Sequence, residues 1–303
     1  MLLVLEQTLN GIQFGVMLFL MGAGLTLVFG IMNLINLAHG SFYMLGAYVG
    51  VAAAHQTGSF LLGILAAIGA AGAVGMAVER GIFRHLYRRE HLLQVLATFG
   101  LILFFNELAA ILWGPQAIFV ALPGWLAGTL DLGGLRYPIY RLAIIAAGLA
   151  VALGLGLLIA RTRIGMLIRA GATNREMLGA LGVNVAALYM LVFALGAGLA
   201  GLAGAMAGPI LAVRVGMGED ILILTFVVII IGGLGSVKGS LLAALVVGLV
   251  DTYGRAFIPT LLRAVLSPSL ADSIGASLSE ISIYLLMATV LLWRPRGLFA
   301  AHA

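Results

Sequence analysis

The sequence predicts an all-α integral membrane protein: a polytopic bundle of about 8–9 transmembrane helices, with two broken or short helix pairs in an internal repeat. Three observations predict it. The 303 residues are 63% hydrophobic and 9% charged, too few charges to cover a water-exposed surface. Apolar runs near the length of a bilayer crossing recur along the chain and do not alternate every second residue, which selects helices over a membrane barrel. The basic residues gather in short connections between those runs, and the first of them is Arg80.

Taken in order, the candidate spans are Leu9–Phe29, Phe42–Ala54, Phe60–Val78, Leu92–Trp113, Ile139–Ala160, Ala186–Gly208, Ile221–Ile231, Leu241–Phe257 and Ile281–Trp293. The opening MLLVLEQTLNG carries Glu6 and no basic residue, so no cleavable leader is expected. Arg80, Arg84, Arg88 and Arg89 fill one connection, Arg161, Arg163, Arg169 and Arg175 a second, and Arg294 and Arg296 the C-terminal end. The positive-inside rule makes these three cytoplasmic. The stretches around Pro115–Tyr137, Pro209–Asp220 and Pro259–Ser279 then face outward. Leu9–Ala54 and Ile221–Phe257 are each too long for one span and divide poorly into two, so the parity there stays open.

Both ambiguous regions hold a polar, glycine-rich break. GGLGSVKGS, Gly232–Ser240, has the glycines, lysine and serine of a phosphate loop in the wrong order, since Lys238 precedes Gly239. Gly233, Gly235 and Gly239 miss the dinucleotide fingerprint by one residue. The stretch instead matches an earlier one. Leu25–Ser41 aligns with Leu224–Ser240 at an offset of 199, pairing Thr26 with Thr225, His39 with Lys238, Gly40 with Gly239 and Ser41 with Ser240. Interrupted hydrophobic segments at matching places point to a transporter pathway, because lipid cannot satisfy the freed backbone groups. Thr26, Asn36, His39, Gly40, Thr225, Lys238 and Gly239 are therefore pathway candidates. Ordinary tight turns between adjacent helices, with Asn36 and His39 capping the backbone, remain the other reading.

Small residues at every fourth position mark packing faces: Gly63, Ala67, Ala71 and Gly75; Gly148, Ala152, Gly156 and Ala160; Gly196, Ala200, Gly204 and Gly208. Charges inside the spans are few. Glu107 lies near the outer end of its span, and Asp251 stands four residues before Arg255, close enough to pair along one face. There is no chain of Asp, Glu and His of the kind an ion-coupled pump needs. The five histidines form no metal or catalytic motif, no G-x-S-x-G elbow is present, and no cofactor is expected. The absence of cysteine excludes disulfides and thiolate metal sites. The net charge of +5 is spread over separate loops, which argues against nucleic acid.

The second basic connection, RTRIGMLIRAGATNREMLGALGVNV (Arg161–Val185), is amphipathic. Ile164, Leu167, Ile168, Met177, Leu178 and Leu181 interleave with Arg169, Asn174, Arg175 and Glu176, and Gly182 supplies a helix stop. Such a cytosolic helix either lies in the lipid interface or plugs a partner's groove. The mixed polar face, with Asn174 and Glu176 beside the arginines, favours a protein partner.

GLTLVFGIMNLINLAHGSFYMLGAY (Gly24–Tyr48) closely resembles the N-terminal signature of the Liv-type permeases of branched-chain amino-acid ABC importers, the LivH branch in particular. The Arg161–Val185 block, FALGAGLAGLAGAMAG (Phe193–Gly208) and GGLGSVKGSLLAALVVG (Gly232–Gly248) are similar to its later blocks and come in the same order. The resemblance implies one transmembrane permease domain over residues 1–303, in the bacterial cytoplasmic (inner) membrane. It also implies a second, LivM-like permease, two cytosolic ATPases and an extracytoplasmic binding protein as partners, with ATP hydrolysed elsewhere. By the same resemblance Arg161–Val185 is the coupling segment, with Arg169, Asn174, Glu176, Ala180 and Gly182 as contact or shape positions. The fit to the wider E-A-A-x-x-x-G coupling motif is partial, since Met177 and Leu178 stand where alanines are usual. Related importers of urea, short amides or aromatic acids share the signature, and a self-sufficient secondary transporter is the rival from another class.

Overall fold

The computed structural model describes residues 2–87 and 89–299. It is a helical bundle: α1 (Leu2–Met32), α2 (His39–Thr57), α3 (Phe60–Val78), α4 (Arg84–Leu86), α5 (His91–Trp113), α6 (Ile139–Arg161), α7 (Arg163–Thr173), α8 (Arg175–Ala180), α9 (Val185–Ala207), α10 (Met217–Gly232), α11 (Val237–Leu262) and α12 (Pro268–Trp293). A π-helical turn, Glu79–Phe83, joins α3 to α4. Seven helices among the described residues are long and apolar enough to cross a membrane: α1, α3 with its continuation to Leu86, α5, α6, α9, α11 and α12. Helices α2 and α10 are the shorter members of the two ambiguous regions, so each region holds two helices.

The last expected span is the one placed furthest from its position. The stretch Pro259–Ser279, expected as an outward connection, is almost wholly helix, because α11 runs to Leu262 and α12 begins at Pro268. Serines and Asp272 give it a loop-like composition, yet Ser277 and Ser279 bond the carbonyls of Ser273 and Gly275 one turn back. Pro268 sits in the first turn, where its missing N–H costs nothing. Gly275 lets Pro259 pack against it, since a Cβ there would come within 2.7 Å of the proline ring.

Helix α1 is the axis of the molecule, buried almost continuously from Val16 to Val28. It lies on α11 through Gly11 and Gly15, which meet Gly248 and Ala244 backbone to backbone. The small-residue stripes of α3 and α9 are both close-packed, but not on each other: Gly196 and Gly204 meet the backbones of Gly24 in α1 and Tyr43 in α2, while Ala67, Ala71 and Gly75 of α3 meet the adjoining Gly201 and Ala197 of α9. In α6 only Gly148 is close-packed, against Val16. Gly156 has open space and Ala160 is exposed, so the far end of that stripe faces away from the bundle interior.

The two ends are distinct. At one, Tyr189 Oη donates to the Ile31 carbonyl, and α7 lies under the end of α1; the described arginines of the three basic stretches belong to this end. At the other, Tyr137 and Arg141 both donate to Asn10 Oδ1. Here a hairpin pairs β1 (Thr129–Asp131) with β2 (Arg136–Pro138), and Ile118 pairs with Val213, joining the excursions that follow α5 and α9.

Candidate functional site

Two regions carry the sequence-predicted residues. The first is the underside, where the chain turns sharply after α6. Thr162 caps α7 by accepting from Gly165 N at 3.0 Å. Gly165 must be glycine, because a Cβ would stand 2.2 Å from the Leu158 carbonyl oxygen. Arg169 turns back and donates to the Ile159 carbonyl, tying α7 to the end of α6. The amphipathic segment is two helices rather than one. Asn174 ends α7 in an extended conformation and caps α8 through its side chain, accepting from Met177 N at 2.9 Å. Gly182 takes φ +83° and closes α8, the left-handed stop expected of it.

Gly165, Ile168, Gly171 and Leu178 face the bundle, with Gly171 beside Leu178, Leu188 and Ile31. Arg163, Arg175, Glu176 and Ala180 face away, together with Met177 and Leu181. Leu181 is 74% exposed. Bare apolar tips among charges of both signs, held on a short rigid helix, suit a groove in another protein better than a lipid surface. Glu176 projects from the first turn of α8 with no hydrogen bond or ion pair to the rest of the chain among the described residues.

The second region is the pair of breaks. After α1, Asn33 adopts φ 50° and ends the helix, a conformation asparagine tolerates. Residues 33–38 then alternate, with Leu34 and Asn36 fully buried and Asn33 and Ile35 exposed, before α2 starts at His39. After α10, residues 233–236 make a tighter turn and Ser236 caps α11 by accepting from Gly239 N. The helix boundaries fall within one residue of the offset of the sequence match: Met32 and Gly232 end α1 and α10, and His39 and Val237 start α2 and α11.

The glycines of Gly232–Ser240 serve this turn. A Cβ on Gly239 would lie 2.0 Å from the Gly232 carbonyl oxygen, so the two helices meet backbone to backbone. Leu298 and Phe299 then donate to the carbonyls of Ile231 and Gly232, so the C-terminal segment caps α10. Gly40 meets Gly218 in the same close manner.

The pathway candidates separate into three kinds. Thr26, Asn36 and His39 are buried polar groups without a hydrogen-bond partner, as are Ser41, Tyr43 and Ser240. His39 Nε2 and Ser240 Oγ each sit 3.0 Å from where a Cβ on Gly24 and Gly22 would be, so both breaks reach the same stretch of α1. Thr225, by contrast, is satisfied by the Ile221 carbonyl at 2.8 Å. Gly40 and Gly239 mark close helix contacts, and Lys238 is exposed at the basic end. A buried polar group left unpaired is costly, so such a cluster is where water, a ligand or a second arrangement of the helices supplies the missing bonds.

Three polar features escape sequence reading. Glu79, which falls within the first basic stretch, is fully buried in the π turn and accepts from Tyr87 Oη at 2.9 Å. Glu219 accepts from Asn106 at 3.0 Å, linking α10 to α5. Gln7, Asn10 and Gln13 recur at every third residue of α1 and line one cleft with Arg141, Asp251 and Arg255. Only the last had a visible signal, the triplet spacing within an apolar run. Asp251 and Arg255 pair at 2.9 Å as their spacing predicts.

Comparison with known proteins gives these features a family. The model of the branched-chain amino acid transport system / permease component family matches residues 7–291. The chain is 30% identical over 307 residues to the high-affinity branched-chain amino acid transport system permease protein BraD of Pseudomonas aeruginosa, covering 97% of this chain and 95% of the relative. It is 29% identical over 312 residues to the corresponding LivH of Escherichia coli strain K12, covering 96% of each. A probable LivH of Methanocaldococcus jannaschii is 25% identical over 246 residues, 78% of this chain and 76% of the relative. No solved structure matches. With the family model spanning nearly all of it, the chain belongs to the branched-chain amino acid transport system permease family.

Proposed function

We propose that this chain is a membrane-spanning permease subunit of an ABC importer for leucine, isoleucine and valine, in the bacterial inner membrane. Its partners are a LivM-like second permease, two cytosolic ATPases and an extracytoplasmic binding protein. The observation that carries the reading is the underside helix α8 with its closing turn, which offers Arg175, Glu176, Met177 and Leu181 to the cytosol from a firmly anchored corner. Full-length similarity to permeases named for branched-chain amino acids supports the substrate class.

In this reading ATP hydrolysis on the partner subunits displaces α7 and α8, and the anchored corner passes that displacement to α1, α6 and α9. Ala180 and Gly182 set the shape and stop of the docking helix, Asn174 caps its start, Arg169 ties the preceding helix to α6, and Glu176 makes the polar contact. The nine helices α1, α2, α3, α5, α6, α9, α10, α11 and α12 each count as one crossing, which places the first residues of α1 outside and the C-terminal end inside. Thr26, Asn36, His39, Gly40, Thr225, Lys238 and Gly239 belong to the two breaks around which access alternates.

Co-purification tests the coupling assignment. Glu176→Arg, or deletion of Arg169–Gly182, releases the ATPase subunits while the spans stay folded; retained ATPase binding removes it. Uphill leucine accumulation by vesicles holding only this polypeptide refutes the importer reading.

A further inference from the structure

We infer that the cleft between α1, α6 and α11 is a water-filled vestibule that takes the paired α-ammonium and α-carboxylate of a free amino acid before it reaches the breaks; the inference rests on the importer reading above. Gln7, Asn10, Gln13, Arg141, Asp251 and Arg255 line it, with a cavity volume of about 360 Å³, inside the range of small-molecule sites. It opens at the end of the bundle away from the arginine-rich loops.

The depth of these groups decides what they face. Asp251 lies ~21 Å along α11 from Val237 at the helical rise per residue, so it sits within the outer half of a bilayer core. Charges at that depth face a bundle interior or water rather than lipid. Arg255 is half exposed there, and Glu280 of α12 stands 3.7 Å from it, more exposed still. Nothing among the described residues covers this charged face. An apolar outer face is the ordinary solution against lipid, and α6 presents one through Leu149, Leu153 and Leu157.

The cleft also has the chemistry of a zwitterion site. Arg255 holds Asp251 at 2.9 Å, placing a carboxylate and a guanidinium side by side. Arg141 donates to Asn10 Oδ1, which also accepts from Tyr137 Oη at 3.2 Å, and a guanidinium has four further N–H groups to offer. A carboxylate bridging the two guanidinium groups leaves Asp251 for the ammonium on the same carbon. Phe14 adds an apolar wall for an aliphatic side chain. Neither an anion nor a cation alone uses both halves.

The absence of cysteine makes the test direct. A Thr252→Cys variant, assembled with cysteine-free partner subunits in proteoliposomes, is treated from outside with a membrane-impermeant thiol reagent. Labelling is expected, slowed by leucine but not by leucinamide or N-acetyl-leucine, each of which lacks one charge. Adding Arg255→Gln raises the leucine concentration for half-protection about tenfold, the loss of one charge-assisted hydrogen bond. No labelling means lipid or protein fills the cleft and overturns the vestibule. Labelling that leucine does not slow, or that all three compounds slow equally, overturns the zwitterion site. ATP-driven leucine uptake by the same vesicles is scored separately: its loss in the unmutated complex overturns the importer reading, whereas uptake without protection overturns this inference alone.

Discussion

Gly40 of α2 and Gly218 of α10 touch through their backbones: a Cβ on Gly40 would lie 2.3 Å from the Gly218 carbonyl oxygen, and one on Gly218 would lie 2.2 Å from that of Gly40. Neither distance is open to a real side chain, and the obstructing atoms are main chain that cannot rotate aside. Gly40→Ala therefore pushes α2 off α10 and costs about 1–3 kcal/mol, as overpacking does. Thermal unfolding of the purified protein in detergent checks this. A variant as stable as the parent would show that the two helices do not meet there.

The underside tests a local effect. Asn174→Ala removes the side-chain acceptor of Met177 N and costs about 1 kcal/mol of helix stability. In a helix as short as α8 that is enough to fray it. Amide hydrogen exchange across Arg175–Ala180 should speed up, while exchange in α9 is unchanged, and Asn174→Asp should restore protection.

Asn106 and Glu219 can be read by a double-mutant cycle. Asn106 donates to Glu219 Oε1 at 3.0 Å across α5 and α10. The single changes Asn106→Ala and Glu219→Ala should not add, with an interaction energy of about 0.5–3 kcal/mol in unfolding measurements. Additive effects would mean the bond contributes nothing.

Tyr87 gives an alkaline signature. Burial, then the neighbouring Glu79 carboxylate, pushes its phenol above the ordinary range, so it stays a donor to Glu79. The folded state then holds this proton where the unfolded chain has released it, and stability falls as pH rises past about 10. Tyr87→Phe should be less stable at neutral pH and lose less of what remains between about pH 9 and 11. Parallel curves for the two proteins would remove Tyr87 from the alkaline loss.

Much of the fold was legible because one force sets it. Crossing hydrocarbon demands long apolar runs, so Phe60–Val78, and Trp113 as the end of α5, fall where the runs do. The rule fails where protein replaces lipid as the neighbour. The serines of α12 satisfy themselves by bonding back along their own helix, which hydropathy cannot register. Asn174 reads as a polar face residue in sequence, yet its extended backbone divides the segment in two. Glu79 is invisible for the opposite reason: beside Arg80 and Arg84 it looks solvated, and only the π turn carries it inward. Asp251 and Arg255 were readable because their partnership is one helical turn long; Asn106 and Glu219 were not, because theirs spans two helices far apart in the chain.

The short bridge from Ile118 to Val213 has a mechanical consequence. Its two backbone hydrogen bonds, 2.8 and 2.9 Å long, staple the ribbon that leaves α5 to the one that feeds α10. A load placed on either ribbon is borne by both, so the far-side rim yields as one plate. Any tilt of α10 must drag the hairpin side of the molecule with it or snap that staple.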